Sequence, residues 1–218
     1  HDNKLTMQRK KQFENTICQK KETVRKYVLP LEKETLMGYA WNKFYKLSFI
    51  KEQGLLFEKV KLIEDIEFNL RVANLAESMN IISTAAYHYC KRNRNSLTAE
   101  YVPDYYELHY RRVSLLYHYL LKWSMMTEDN KQTIADIYVR YLLSAAQRSF
   151  DSQANLEKAS RYKIFHDRLD DPVVRNLFKG YRSKTIKMKI LVSAIKHKRV
   201  RTILIIGKLI DLLRKSSI

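Results

Sequence analysis

The chain has few of the residues that interrupt or cross-link a polypeptide. Its 218 residues include only 4 glycines, 3 prolines and 2 cysteines. Such low glycine and proline contents exclude a collagen-like or low-complexity chain, and 45% hydrophobic residues predict a globular protein with a substantial core. Cys18 and Cys90 lie far apart and outside any CxxC pattern. This spacing argues against a zinc or disulfide framework and favours a reducing cytoplasm, with both thiols buried.

Several sequence signatures are also missing. The longest apolar run near the C-terminus, ILIIG at 203–207, is far shorter than the roughly 20 residues that span a bilayer. Residues 1–12 are mostly polar or charged, unlike a signal peptide, and a chain that opens on His1 without a Met indicates a trimmed tag, a cleavage product or a fragment. No GxxxxGK[ST], GxGxxG, GxSxG or HExxH motif occurs. The sequence therefore gives no support to a P-loop, dinucleotide-binding, serine hydrolase or zincin site.

Acidic residues are scarce relative to basic ones. There are 41 Lys and Arg against 23 Asp and Glu, a formal net charge of +18. Residues 179–218 contribute +11 of this excess and residues 1–30 contribute +5, which leaves +2 for the middle of the chain. A charge of this sign and distribution predicts an anionic partner, either nucleic acid or an anionic membrane.

Hydrophobic periodicity predicts a mainly α protein with a few short strands. Apolar residues recur at helical spacing over seven segments, and these predict helices at about 66–79, 105–124, 131–148, 153–167, 172–180, 184–197 and 200–215. Residues 5–28 indicate a charged helix or a helix with a loop, and 81–92 a strand followed by a turn. Pro30 and Gly38 predict a loop or turn around Trp41.

Four stretches carry a family resemblance. They are GYAWNKFYK at 38–46, FIKEQGLLF at 49–57, EDIEFNLRVA at 64–73 and YHYCKRNRNSLT at 87–98. In this order they closely resemble the second half of bacterial family 2 glycosyltransferases of the GT-A fold. Each stretch alone is a weak signal, whereas four linked ones over about 60 residues are fairly specific.

The resemblance implies an inverting glycosyltransferase in bacterial surface polysaccharide synthesis. Such an enzyme moves a sugar from a nucleotide-sugar donor to a glycan or lipid-linked acceptor, and it needs a carboxylate to take the acceptor proton. The family's base corresponds to Asp65, and Glu64 would orient Asp65 or contact the acceptor. An acid at a helix start is more commonly only a cap, so the structural alternative for Asp65 stays open.

The same resemblance indicates substrate-binding residues. Trp41 offers a flat face for a sugar ring, and Asn42 and Lys43 offer hydrogen bonds and charge to hydroxyls or phosphate. A second group of polar residues would hold the leaving diphosphate: Arg92, Arg94, Ser96 and Thr98. Each has a structural alternative, since a tryptophan is commonly core and turn residues are commonly solvated.

The first half of the family pattern is absent. Neither its opening strand nor its Asp-x-Asp motif occurs in this sequence. The resemblance therefore implies a remnant of the catalytic domain at 1–100, a helical extension at 101–178 and a basic amphipathic tail at 179–218. The divalent metal, Mg or Mn, and the nucleotide belong to the missing half. We expect no metal on this fragment and no activity from it alone.

The basic C-terminal segment predicts a peripheral membrane protein on the cytoplasmic face. Helices there would place apolar stripes beside Lys and Arg, as interfacial helices do, with the stripes formed by Ile186, Ile190, Val200, Ile203, Leu204, Leu209, Leu212 and Leu213. The alternative is a packed helical pair with a solvated basic face. Residues 101–123 interleave aromatics with bases, but their helical spacing favours core, and nucleic acid is not the expected partner. A non-enzymatic basic helical module that binds nucleic acid or anionic membrane remains the alternative function.

Overall fold

The computed structural model describes residues 13–60, 62–84, 87, 101–183 and 185–216. Within these ranges the chain forms nine α-helices and one two-stranded antiparallel sheet, so the predicted mainly α class is confirmed. The chain divides into two compact units. The N-terminal unit comprises His1–Val60 and Glu64–Asn93, and the C-terminal unit comprises Lys61–Ile63 and Arg94–Ile218.

The N-terminal unit packs two helices beside a small sheet. Its elements are β1 (Thr16–Cys18), α1 (Lys21–Lys33), α2 (Leu47–Glu52), α3 (Glu64–Leu75) and β2 (Met79–Ile81). The strands pair in the register Thr16 with Ile81 and Cys18 with Met79. Helices α1 and α3 contact each other and bury apolar residues at helical spacing, among them Val24, Val28, Ile66, Leu70 and Ala73.

The observed elements of this unit differ from the predictions in four places. The helix predicted over 66–79 ends at Leu75, because Met79 pairs with β1 instead. Of the strand predicted over 81–92, only Ile81 lies in β2; residues 82–84 lie outside any strand, and most of the remainder lies outside the described residues. Pro30 lies inside α1 rather than ending it, and α2 was not predicted. Burial of the flanking Leu29 and Leu31 stabilises the last turn despite the proline.

The C-terminal unit is built from longer helices. They are α4 (Tyr105–Lys122), α5 (Glu128–Arg148), α6 (Lys158–Leu169), α7 (Pro172–Phe178), α8 (Ile186–Lys196) and α9 (Val200–Ser216). Side-chain caps mark several starts: Thr127 accepts from the Asn130 N–H at α5, and Asp171 accepts from the Val173 N–H at α7. The six helices predicted after residue 104 are confirmed, and most ends differ by a few residues. The helix predicted over 153–167 begins only at Lys158, after a short 3-10 helix at Ser152–Ala154.

Helix α5 occupies the centre of this unit. It contacts α4, α7 and α9, and its inward face is apolar apart from Tyr138. The closest approach is at Gly207 of α9, where an added Cβ would lie 2.6 Å from the Ala146 Cβ and 2.9 Å from the Ala146 carbonyl oxygen. Helix α9 is therefore packed into the core of the unit along one side.

None of the helices in the described ranges is long and apolar enough to cross a membrane.

Candidate functional site

The loop between α1 and α2 carries the first motif and lies against the start of α3. Asp65 is the second residue of α3, and its Oδ2 accepts a hydrogen bond from the backbone N–H of Ala40 at 3.2 Å. Two of the four stretches, far apart in sequence, thus meet at one carboxylate. Because a carboxylate has two oxygens, this bond orients Asp65 and leaves the second oxygen to accept another proton.

Lys43 is turned inward to the same loop. Its ammonium donates to the carbonyl oxygens of Leu36 at 2.8 Å and Tyr39 at 2.5 Å, and to Oδ1 of Asn42 at 2.8 Å. An ammonium group has three protons, so these acceptors use all of them. Burial lowers the pKa of Lys43 to about 8, while the charges of Asp65 and Glu32 oppose that shift. Lys43 therefore holds the loop and places a positive charge near Asp65.

Asn42 makes a second contact to the same carbonyl. Its Nδ2 donates to the Leu36 oxygen at 3.1 Å while its Oδ1 accepts from Lys43. The sequence suggested that Asn42 and Lys43 bind hydroxyls or phosphate. In this structure both side chains instead satisfy main-chain and side-chain groups of their own loop, because an irregular loop leaves carbonyl oxygens that require donors.

Asn69 is a site residue that the sequence analysis missed. It follows Asp65 by one helical turn on α3 and is only 1% exposed. Its Oδ1 accepts from the Tyr45 hydroxyl at 2.6 Å, and its Nδ2 donates to the Met37 carbonyl at 2.9 Å. Burial and the nearby Asp65 charge raise the pKa of Tyr45. An asparagine four positions after the acid, on the same face of α3, was the available signal.

An aromatic stack lies on the outside of the loop. The Trp41 indole stacks on Tyr39 with ring centroids 4.7 Å apart and on Tyr87 with centroids 4.2 Å apart. Trp41 remains 37% exposed and Tyr87 49% exposed. These rings form a partly solvated apolar surface. A sugar ring would meet a triple stack here, rather than the single indole face that the sequence suggested.

Glu64 begins α3 beside Asp65. Its Oε2 is shielded from solvent and makes no hydrogen bond to any group in the described ranges. Leaving a carboxylate oxygen without a partner costs free energy, so this atom is poised to accept a donor. The described residues contain no group of three or more His, Cys, Asp or Glu side chains that could hold a metal ion.

Most of the remaining predicted residues lie outside the described ranges, and Cys18 lies in the core. Arg92, Arg94, Ser96 and Thr98, the proposed diphosphate group, lie outside the described residues, as does Cys90. Cys18 is buried as expected, and burial raises the pKa of its thiol. The structure thus brings together Asp65 with Ala40, Lys43 and Tyr45, while the loop segment after β2 contributes only Tyr87 to the described site.

No protein-family model, curated protein or solved structure matches this chain. A functional assignment therefore depends on the four linked stretches and on the chemistry of the side chains that surround Asp65. That chemistry is an oriented carboxylate of intermediate exposure, close to a buried cation and to exposed aromatic rings. Such a group is suited to accept a proton from a hydroxyl.

Proposed function

We propose that the N-terminal unit is the acceptor-side part of an inverting glycosyltransferase of bacterial family 2 and GT-A type. Its reaction moves a sugar from a nucleotide-sugar donor to a glycan or lipid-linked acceptor of bacterial surface polysaccharide synthesis. The observation that carries this proposal is the hydrogen bond between Asp65 and the Ala40 N–H, at 3.2 Å. It joins the start of the acidic motif to the tryptophan loop, as a shared active site requires.

In the proposed reaction Asp65 is the general base. The acceptor hydroxyl oxygen forms a bond to the anomeric carbon on the face opposite the donor phosphate, so the configuration inverts. The bond from that carbon to the diphosphate oxygen breaks, and the nucleoside diphosphate leaves with the electron pair. Asp65 takes the hydroxyl proton, a contribution of about 10²- to 10⁴-fold for a positioned base.

The surrounding residues have separate tasks in this proposal. Lys43 keeps the loop closed on Asp65, and Trp41 with Tyr87 forms a surface on which an acceptor sugar packs. Glu64, whose Oε2 has no hydrogen-bond partner among the described residues, orients Asp65 or contacts the acceptor. The donor nucleotide and its Mg or Mn ion would be held by an Asp-x-Asp half that these 218 residues do not contain.

The decisive experiment uses the complete gene product that includes this chain. Asp65→Asn keeps the side-chain size but removes the proton acceptor, so we expect transfer to fall about 10²- to 10⁴-fold with donor binding nearly unchanged. Transfer is measured from a panel of labelled nucleotide sugars to bacterial membrane acceptors, and donor binding by calorimetry. Glu77→Gln is the matched control, because Glu77 is an exposed acid of the same unit.

Two outcomes would contradict the proposal. If Asp65→Asn retains more than about a tenth of the rate, Asp65 acts only as a structural residue of α3. If the upstream reading frame contains no Asp-x-Asp, the donor side has no metal ligand and the transferase assignment fails. The 218-residue chain by itself is expected to turn over no nucleotide sugar.

A second function, attachment to the cytoplasmic face of an anionic membrane, is favoured by one face of α9. With about 100° between successive helical residues, the buried Val200, Ile203 and Gly207 lie on the side opposite an exposed apolar stripe. Its members and their exposures are Ile205 (61%), Leu209 (54%), Leu212 (54%) and Leu213 (68%). Burial of Val200 and Ile203 corrects the predicted stripe, which included them. Arg201, Lys208 and Lys215 recur every seven residues along one border of the stripe.

The positive charge of this border favours anionic lipid as the surface that the stripe binds. Each Lys or Arg near an anionic leaflet contributes roughly 1 kcal/mol of attraction, and the leucines add apolar burial. Sedimentation with anionic and neutral vesicles, at low and at high salt, tests whether the stripe binds anionic membranes. We expect Leu209→Glu with Leu213→Glu to weaken binding at least about tenfold.

Leu121→Glu is the control for this test, since Leu121 is an exposed leucine of α4 in the same unit, 46% accessible. It should bind vesicles as the unaltered chain does. Equal binding by all three proteins, or equal binding to neutral vesicles, would show that the stripe does not enter the membrane. The basic residues would then belong to a solvated helix face.

A further inference from the structure

Helices α4 and α5 share a cluster of aromatic and basic side chains that the proposed reaction does not use. At its centre is His109, which is 6% exposed. Its ring stacks on Tyr141 of α5 with centroids 4.0 Å apart and an interplanar angle of 10°. Tyr105, one turn earlier on α4, meets the same imidazole edge-on at 4.3 Å. The ring is therefore fixed in position by two aromatic neighbours.

Three arginines converge on this group. The guanidinium carbons of Arg112 and Arg140 lie 5.4 Å and 5.1 Å from the centroid of the Tyr141 ring. The guanidinium carbon of Arg148 lies 4.6 Å from the centroid of the Tyr105 ring. An arginine that stacks on an aromatic face keeps the N–H groups at its planar edge directed outward, where they match the oxygens of a phosphate.

The imidazole itself has an unsatisfied atom. Nδ1 of His109 is buried and makes no hydrogen bond in the described part of the chain. Burial and the charges of the three arginines lower the pKa of His109 to about 3, so the ring is neutral at neutral pH. A neutral imidazole still has one N–H donor. In the tautomer that carries its proton on Nδ1, this N–H is a buried donor without an acceptor, and an anionic oxygen at this position would recover the free energy that this costs.

Hydroxyl groups complete the polar lining. The Tyr105 hydroxyl lies 3.0 Å from Oγ of Ser144, one turn before Arg148 on α5. Hydroxyls and guanidinium groups together are the donors that proteins use for phosphate oxygens. The whole cluster lies within the C-terminal unit and on two adjacent helices, so the backbone that positions it is regular and rigid.

We propose that the His109 cluster is a binding site for a phosphate group, with Arg112, Arg140 and Arg148 as the charged ligands. The phosphate belongs either to a small soluble ester or to a lipid headgroup, because both present the same oxygens. This site does not depend on the transferase assignment, since none of its residues belongs to the four family stretches. It also lies on different helices from the apolar stripe of α9.

The test compares two single-charge variants of the full chain. Arg140→Gln removes an exposed member of the cluster, and Arg182→Gln removes an exposed arginine elsewhere in the same unit as the control. Inorganic phosphate and glycerol 3-phosphate are titrated by calorimetry and by the ¹⁵N signals of the His109 ring. In a second arm, vesicles with phosphatidic acid are compared with neutral vesicles.

Arg140→Gln should weaken phosphate binding about tenfold, the usual effect of one charged hydrogen bond, and Arg182→Gln should leave it unchanged. If Arg140→Gln weakens binding of the soluble ligands, the natural ligand is a soluble ester. If it weakens binding of the vesicles only, the natural ligand is a lipid headgroup. Phosphate should also move the His109 ring signals. Equal affinities of the two variants in both arms, or His109 signals that do not respond, would overturn the proposal and leave a helix-packing cluster.

Discussion

The two units use polar side chains in different ways. The N-terminal unit has short helices and buries Glu32, Glu67 and Asn69, and its loop is held by side chains that donate to carbonyl oxygens. The C-terminal unit buries mainly apolar residues along α5, and several of its arginines lie over aromatic rings. Most of its exposed large apolar residues lie on α8 and α9, whereas Phe44, in the loop between α1 and α2, is 99% exposed.

This difference follows from backbone hydrogen bonding. A long helix satisfies its own N–H and C=O groups, so its side chains are free to form an apolar core and to bind ligands. An irregular loop must obtain donors from elsewhere, and Asn42, Lys43 and Asn69 supply them. Polar residues of the N-terminal unit therefore hold its loop together, whereas the longer helices of the C-terminal unit need no such donors.

The largest expected effect is on the close approach of α9 to α5. In an isolated helix Gly→Ala would add about 1 kcal/mol of stability. In Gly207→Ala, however, the new Cβ would lie 2.6 Å from the Ala146 Cβ and within 2.9 Å of its backbone, which must shift. We expect a net loss of about 3 kcal/mol in the free energy of unfolding, measured by urea denaturation.

The control is Ile205→Ala on the exposed side of α9, which should change the free energy of unfolding by less than about 0.5 kcal/mol. A Gly207→Ala protein as stable as the wild type would show that α9 is not packed as described.

A pH-dependent effect of similar overall size tests the buried His109 of the C-terminal unit. The pKa of His109 is about 3 in the folded chain, below the ordinary histidine value of 6.5. Between these values the unfolded chain binds the proton and the folded chain does not, so stability is lost as the pH falls from 6.5 towards 3. The slope is about 1.4 kcal/mol for each pH unit from this one group.

His109→Phe keeps the ring contact with Tyr141 and removes the titration. The free energy of unfolding is measured for both proteins from pH 7 to pH 4. For each pH unit below about 6.5, the wild type should lose about 1.4 kcal/mol more than the variant does. Carboxylates titrate equally in both proteins and cancel. Parallel curves would mean that His109 titrates in the folded chain as it does in the unfolded one.

The smallest effect concerns the loop of the N-terminal unit. Asn42→Ala removes the donor to the Leu36 carbonyl and the acceptor for Lys43. We expect a loss of about 1 kcal/mol in the free energy of unfolding, the usual contribution of such hydrogen bonds. Lys46→Ala, an exposed position at the end of the same loop, is the control. No change in stability together with loss of acceptor binding would return Asn42 to the substrate role that the sequence suggested.

Periodicity was sufficient for the C-terminal helices because each has an apolar face, and three of them also have a side-chain cap at the start. Thr127 before α5 and Asp171 with Pro172 at α7 are examples that can be recognised without a structure. The short strands and α2 could not be predicted in this way. Met79 joins β2 only because Cys18, far away in sequence, is there to pair with it.

The sequence by itself determined the helical class, the excess of positive charge at the chain ends and the motif residues around Trp41 and Asp65. Those properties are local, since they depend on residue type and on spacings of a few positions. Tertiary structure alone decided that Lys43 faces Leu36 and Tyr39, that Asn69 joins the site, that Val200 and Ile203 are core and that three arginines meet at His109. The Lys43 contacts depend on the irregular path of one loop, and the others depend on contacts between segments that are distant in the chain. Residue type and spacing specify neither.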